Sequence, residues 1–200
     1  MKNEQKEARN TDRDLIKITF IEPPTIKTER LILRRMEKRD FRDMFEYASD
    51  PDVTRYLLWS PHRNERQTVQ YLAYVKGRYK EGAFYDWAIT DRETGKMIGT
   101  CGFSSFNPDH NSGEVGYVLN KKYWGCGIAA EALSAVIRFG FARLGLHRIE
   151  AKYMVGNEQS RRVMEKVGMK FEGIHRDSMF VKGCFVSVGY FAVLSGEWRK

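Results

Sequence analysis

The chain reads as a single α+β domain with a central mixed, mostly antiparallel twisted sheet of about seven strands flanked by helices. Three observations lead there. Short runs of period-two alternation, such as Ile149, Ala151, Tyr153 and Val155, interleave with longer runs at helical spacing, such as 128–142. The segment Trp87-Ala88-Ile89-Thr90, a turn at 91–96 and an apolar run at 97–103 form a β-hairpin signal ahead of a strand–turn–helix passage at 114–142. No internal repeat or linker divides the 200 residues, a length that suits one core.

Residues 1–24 read as a polar N-terminal extension, frayed or partly helical, and 25–200 as the domain. Leu31 and Leu33 mark the first strand. Asp40 is placed to cap a helix with Phe41, Met44, Phe45 and Ala48 on one face. Asp50-Pro51 ends that helix and opens a short second one. A third, near 65–80, turns Val69, Leu72 and Tyr79 inward. After the hairpin come a strand at 114–119, a helix at 128–142, a strand at 147–155 and a helix at 158–167. Two final strands lie at about 170–181 and 185–195.

The functional signal is densest at Tyr123-Trp124-Gly125-Cys126-Gly127-Ile128-Ala129-Ala130. A strand that passes through a glycine turn straight into a helix leaves backbone N–H groups unpaired at the positive end of the helix dipole. Glycines let an anionic ligand approach without a Cβ clash, so the turn suits phosphate. It is not a nucleotide P-loop, which needs Gly-Lys-Ser/Thr. A dinucleotide fingerprint would need glycine at Ala130 and a position on the first strand, although Glu150 stands at the right spacing. Downstream, Asn157 is a helix N-cap, Val163, Met164 and Val167 form an apolar stripe, and Gly168 closes the helix.

With the segments Thr28 to Arg34, Ser49 to Leu57, Gly95 to Gly99 and Gly113 to Tyr117, these motifs resemble the GNAT superfamily of acetyl-CoA-dependent N-acetyltransferases. More narrowly, they resemble its Rim-type branch, which acetylates ribosomal-protein N-termini. The resemblance covers about residues 25–198. It implies a V-shaped opening for coenzyme A between the strands at 114–119 and 148–155, and direct attack without an acyl-enzyme. It further implies that N–H groups near Val118 and Leu119 bind the pantetheine arm and polarise the acetyl carbonyl. Trp124 and the amides of Gly125, Cys126, Gly127, Ile128, Ala129 and Ala130 would hold the pyrophosphate region, Asn157 the pantetheine or a water, and Arg161 or Arg162 the 3′-phosphate. Trp124 stands where the wider superfamily often has Gln or Arg.

Ser160 matches the branch's general acid and would donate a hydrogen bond to the leaving sulfur; as a plain helix residue it would bond its own first turn. Glu114 is the first candidate base, against an ordinary cross-strand ion pair. Asp177 is the second, and Ser187 stands where many relatives carry Asp. Cys126 has no neighbouring His to make it a nucleophile. Tyr117 and Tyr123 read as packing residues, Tyr123 also as a cover for the coenzyme.

Composition narrows the partners. Residues 121–200 carry 14 Lys or Arg against 7 Asp or Glu, most of the formal net charge of +8, which favours an anionic cosubstrate; rRNA attraction or plain solubility are the alternatives. Three cysteines without metal spacing and four scattered histidines indicate reduced thiols, a cytoplasmic setting and no metal. Neither a signal peptide nor a membrane span is expected. The expected acceptor is the α-amino group of a ribosomal or other protein, with ribosome association as an accessory and either a monomer or a homodimer compatible. The alternatives are a small amine (polyamine, amino acid or aminoglycoside) drawn by Glu46, Asp50, Asp52 and Glu81, and a catalytically silent acetyl-CoA-binding protein.

Overall fold

A computed structural model describes residues 13–199. Helix α1 covers 13–21; the part of the expected polar extension before it lies outside the described residues. Strands β1 (Ile26–Lys27) and β2 (Leu31–Arg34) lead to helices α2 (Phe41–Ala48), α3 (Pro51–Thr54) and α4 (Glu65–Lys80). Then follow β3 (Tyr85–Asp91), β4 (Met97–Asn107), β5 (Ser112–Leu119), α5 (Ile128–Leu144), β6 (Arg148–Met154), α6 (Glu158–Lys166), β7 (Lys170–Val181) and β8 (Cys184–Leu194). The eight strands form one sheet in the order β1-β2-β3-β4-β5-β6-β8-β7. Every neighbouring pair is antiparallel except β5 and β6.

Two expectations change. Residues 13–21 belong to the domain rather than to a polar tail, because Ile16 and Phe20 of α1 are buried in the main core. Phe20 is sealed among the rings of Tyr85, Trp87, Phe106 and Phe139, and burying an aromatic side chain stabilises by about 1.5–3 kcal/mol. Asp40 does not cap α2 with its side chain. Its carboxylate accepts both guanidinium arms of Arg34, at 2.9 and 2.7 Å, and the Glu37 N–H at 2.8 Å. A nearly buried charge takes the partner that neutralises it before a neutral backbone group.

Helices α1, α5 and α6 cover one face of the sheet, and α2, α3 and α4 cover part of the other. The second set reaches no further across the sheet than Val118. Side chains alternate along a strand, so with Val115 in the first core, Glu114 and Gly116 face the second side, beside Lys152. Parallel pairing of β5 with β6 runs from Ser112↔Arg148 to Val115↔Ala151 and stops there, although both strands continue. The two strands therefore diverge into a V. No helix among the described residues is long and apolar enough to cross a membrane.

Candidate active site

The V holds a cleft of about 620 Å³, within the size of small-molecule sites. It brings together Val118, Leu119, Trp124, Gly125, Gly127, Ile128, Ala129, Ala130, Asn157 and Ser160 of the expected set. Trp124 packs between the two cores and donates its Nε1–H to the Leu119 carbonyl at 2.9 Å, which fixes the turn against the end of β5.

Gly125 and Gly127 have φ of +78° and +77°, left-handed conformations that L side chains rarely adopt. Gly127 is the N-cap of α5 and offers no side chain to its first turn. The helix's first backbone bond runs from the Glu131 N–H to the Gly127 carbonyl. Among the described residues, no carbonyl outside the helix accepts from the N–H groups of 125–130. They form a nest of donors at the positive helix end. Cations gather there too: a Cβ on Gly127 would lie 3.4 Å from Lys166 Nζ and 3.7 Å from Arg30 Nη2.

Arg30 has a structural part in the turn that its place in the first-strand motif did not disclose. Its Nη1 donates to the Cys126 carbonyl at 2.9 Å and its Nε to Glu131 at 2.7 Å. The Thr28 hydroxyl and the Arg30 N–H also bond Glu131, at 2.6 and 2.9 Å. Burial opposes ionisation of Glu131, but these bonds outweigh it and hold the carboxyl below its ordinary value. The Cys126 side chain is exposed, outside the cleft lining, and its thiol donates to the Trp124 carbonyl at 3.6 Å.

At the opposite wall, Asn157 caps α6 by accepting the Ser160 N–H at 3.2 Å. Ser160 Oγ lies 2.8 Å from Tyr117 Oη, which also donates to the Ser160 carbonyl at 2.9 Å. Tyr117, expected to be a packing residue, thus bridges the V and lines the cleft beside Ser160. Burial raises its phenol, only partly offset by the Ser160 bond, so it is a neutral donor at pH 7. Its position on the strand carried a signal, but its partner is 43 residues away.

Glu114 does not line this cleft. It faces Lys152 at 2.5 Å, and Lys152 in turn lies over the Tyr190 ring. Arg161 is also outside the lining, bonded along the helix to Glu158 and Glu165 at 3.1 Å each, while Arg162 lines the cleft. Asp177, exposed in a bulge of β7 at φ +46°, pairs with Ser187, whose Oγ bonds its N–H and Oδ1 at 3.1 and 3.2 Å. Glu46 is held at about 2 by Lys122 first and then Lys96. Among the described residues, no group of three His, Cys, Asp or Glu could hold a metal.

Comparison with known proteins matches this architecture. The Acetyltransferase (GNAT) domain family matches residues 30–170. The uncharacterized N-acetyltransferase p20 of Bacillus licheniformis is 36% identical over 174 residues, 87% of this chain and 98% of its own. The [ribosomal protein uS5]-alanine N-acetyltransferase of Escherichia coli (strain K12) is 26% identical over 181 residues, 86% of this chain and 92% of its own. A GNAT-family acetyltransferase structure from Bacillus anthracis superposes with a TM-score of 0.79 at 31% identity, covering 87% of this chain and all of the other. A splayed parallel pair, an open glycine turn and a family match over most of the chain make it a member of the GNAT family of acetyl-CoA-using N-acetyltransferases.

Proposed function

We propose that the chain acetylates the α-amino group of a protein N-terminus, a ribosomal protein being the first class to test. The observation that carries this reading is the neutralisation of the acids that would draw a polycation. Glu46 is paired with Lys96 and Lys122, Asp52 with Lys121 at 2.5 Å, and Glu81 with Arg78 at 2.7 Å. Asp50 accepts the Asp52 N–H at 2.8 Å in capping α3. A polyamine would have to displace the chain's own cations, whereas a peptide terminus presents one ammonium. The uS5-alanine specificity in the name of the Escherichia coli relative supports the same choice. The test is thiol release from acetyl-CoA over N-terminal peptides, polyamines, amino acids and aminoglycosides. Turnover on peptides alone is the expected result, and turnover on a polyamine alone would replace the reading.

In this reading the donor nest at 125–130 holds the coenzyme's pyrophosphate, with Arg30, Lys166 and Arg162 supplying positive field. The free edge of β5 beyond Val115 takes the pantetheine arm and the acetyl carbonyl. Tyr117 has a single hydrogen for the Ser160 carbonyl and hydroxyl, and when it donates to the hydroxyl oxygen, the Ser160 hydroxyl is able to turn its own hydrogen toward the departing sulfur. Ser160→Ala should lower kcat by about 10–100-fold while acetyl-CoA affinity changes little, since only the thiolate is stabilised late in the reaction. Tyr117→Phe should cost less, and the double variant should be less impaired than the sum, because both remove one coupled pair. An unchanged rate in Ser160→Ala would return Ser160 to a helix-capping role.

Glu114 stands outside the cleft lining and is held in an ion pair with Lys152, so it is poorly placed to take the acceptor's proton. The base is therefore sought elsewhere on the same face of the sheet.

A further inference from the structure

Among the described residues, one carboxylate on that face lacks a cationic partner. Asp86 stands on β3 opposite Gly102 of β4, which stands opposite Gly116 of β5. A Cβ on Gly102 would collide with the Asp86 side chain, 2.8 Å from Oδ1, so the carboxylate leans over that glycine. Gly116 has open space where its Cβ would be. Neighbouring strands lie about 5 Å apart. The next row of this face is Ala88, Thr100 and Val118, so Asp86 is two strand spacings, about 10 Å, and one residue pair from the edge expected to hold the acetyl carbonyl, and its carboxylate reaches across the first of those spacings, over β4.

Asp86 Oδ1 is sealed from solvent and has no hydrogen-bond partner, and the same is true of Tyr47 Oη. Buried polar atoms are rarely left unpaired in folded proteins. Among the described residues no ion pair engages Asp86. The titratable groups that feel its charge are Tyr47 from α2 and Tyr71 and Tyr79 from α4, together with Cys101 of β4, whose side chain lies in the core on the other face of the sheet. Burial pushes the three phenols and the thiol up from their ordinary values, so each is neutral near pH 7; Tyr79 Oη donates to the Asp86 carbonyl at 2.6 Å. Arg35 lies over the Tyr79 ring rather than on the carboxylate. Burial lifts the Asp86 carboxyl to about 7, against the opposing pull of the Thr100 hydroxyl and then the Trp87 N–H. A base poised near the working pH is what deprotonating an ammonium requires.

We propose that Asp86 is the proton acceptor of the transfer, taking a proton from the acceptor's ammonium, directly or through one water, over the Gly102–Gly116 floor. The N–H bond breaks and an O–H bond forms on Asp86, which later releases the proton to solvent. The freed lone pair attacks the acetyl carbon, the C–S bond breaks, and the second proton lost by nitrogen ends on the sulfur beside Ser160. The inference rests on the amine-acetylation reading above.

The test compares pH profiles of kcat/KM for the wild type, Asp86→Asn, Thr100→Val and Glu114→Gln on the peptide the wild type acetylates best. Acetyl-CoA affinity is measured by calorimetry and folding by thermal melting. Asp86→Asn should lose about 100-fold or more in kcat, keep acetyl-CoA affinity within about twofold and lose the acidic limb. Thr100→Val, isosteric and active, should move that limb to higher pH, because the pull of the Thr100 hydroxyl on the ionised carboxylate is gone. A limb that survives in Asp86→Asn and vanishes in Glu114→Gln would overturn the proposal. Should the wild type acetylate no peptide, the acceptor reading fails on its own. Asp86 is then judged by carboxyl-carbon NMR: titration near neutrality supports it, and titration near the ordinary aspartate value overturns it.

Discussion

Gly127→Val is expected to raise the dissociation constant for acetyl-CoA by at least about 100-fold, because two penalties coincide at one residue. At φ +77° a β-branched side chain is strained, on the order of 1–3 kcal/mol. Its Cβ would already sit 3.4 Å from Lys166 Nζ and 3.7 Å from Arg30 Nη2, so the added methyls enter the space before the donor nest. Calorimetric titration reads the affinity and thermal melting reads the strain. Gly127→Ala separates the two, since it shares the strained backbone and lacks the bulk. Tight binding retained by the valine variant would dissociate the nest from the pyrophosphate.

Asp86→Asn should make the protein more stable at neutral pH even as it slows the reaction. With the folded carboxyl near 7 and an unfolded aspartate near 3.9, both states are protonated in acid and the group has no effect there. As pH rises from about 4 to about 7, the unfolded chain releases its proton and the native chain does not, so wild-type stability falls. Above about 7 the loss is constant, on the order of 3–4 kcal/mol at most. Urea unfolding at pH 4.5, 6 and 8 should show the variant's advantage growing with pH. Glu46, held at about 2, acts in the opposite sense and in a lower window, where its contribution is lost as pH falls from about 4 toward 2. A difference independent of pH would mean that the Asp86 carboxyl is not displaced from its ordinary value.

What could be read from the chain, and what could not, divides by the distance between partners. The left-handed glycines at 125 and 127, the Asn157 cap and the order of strands and helices are local, and each leaves a mark within a few residues. The 13–21 helix was obscured because Ile16 and Phe20 are sparse among charges, and only contact with Trp87 and Phe139 shows their purpose. Asp40 looked like a cap because its competitor, Arg34, comes from another element. Tyr117 gains its meaning from Ser160, and Glu114 its ion pair from Lys152, both across strands that meet only in the folded sheet. Asp86 was invisible: an acid at the start of a strand is ordinary until the glycines facing it and the silence of its Oδ1 are known.

The tie between Arg30, Cys126 and Glu131 spans about a hundred residues of sequence, and under the proposed reading it makes the turn between β1 and β2 part of the coenzyme's binding equilibrium. An anion in the turn stiffens the carbonyl and helix that Arg30 grips, and by reciprocity an ordered Arg30 raises the turn's affinity. Amides around Thr28 to Leu31 should therefore exchange with solvent more slowly when acetyl-CoA is present, though they are not among the groups proposed to hold it. The turn that leads into β2 would act as a built-in reporter of occupancy.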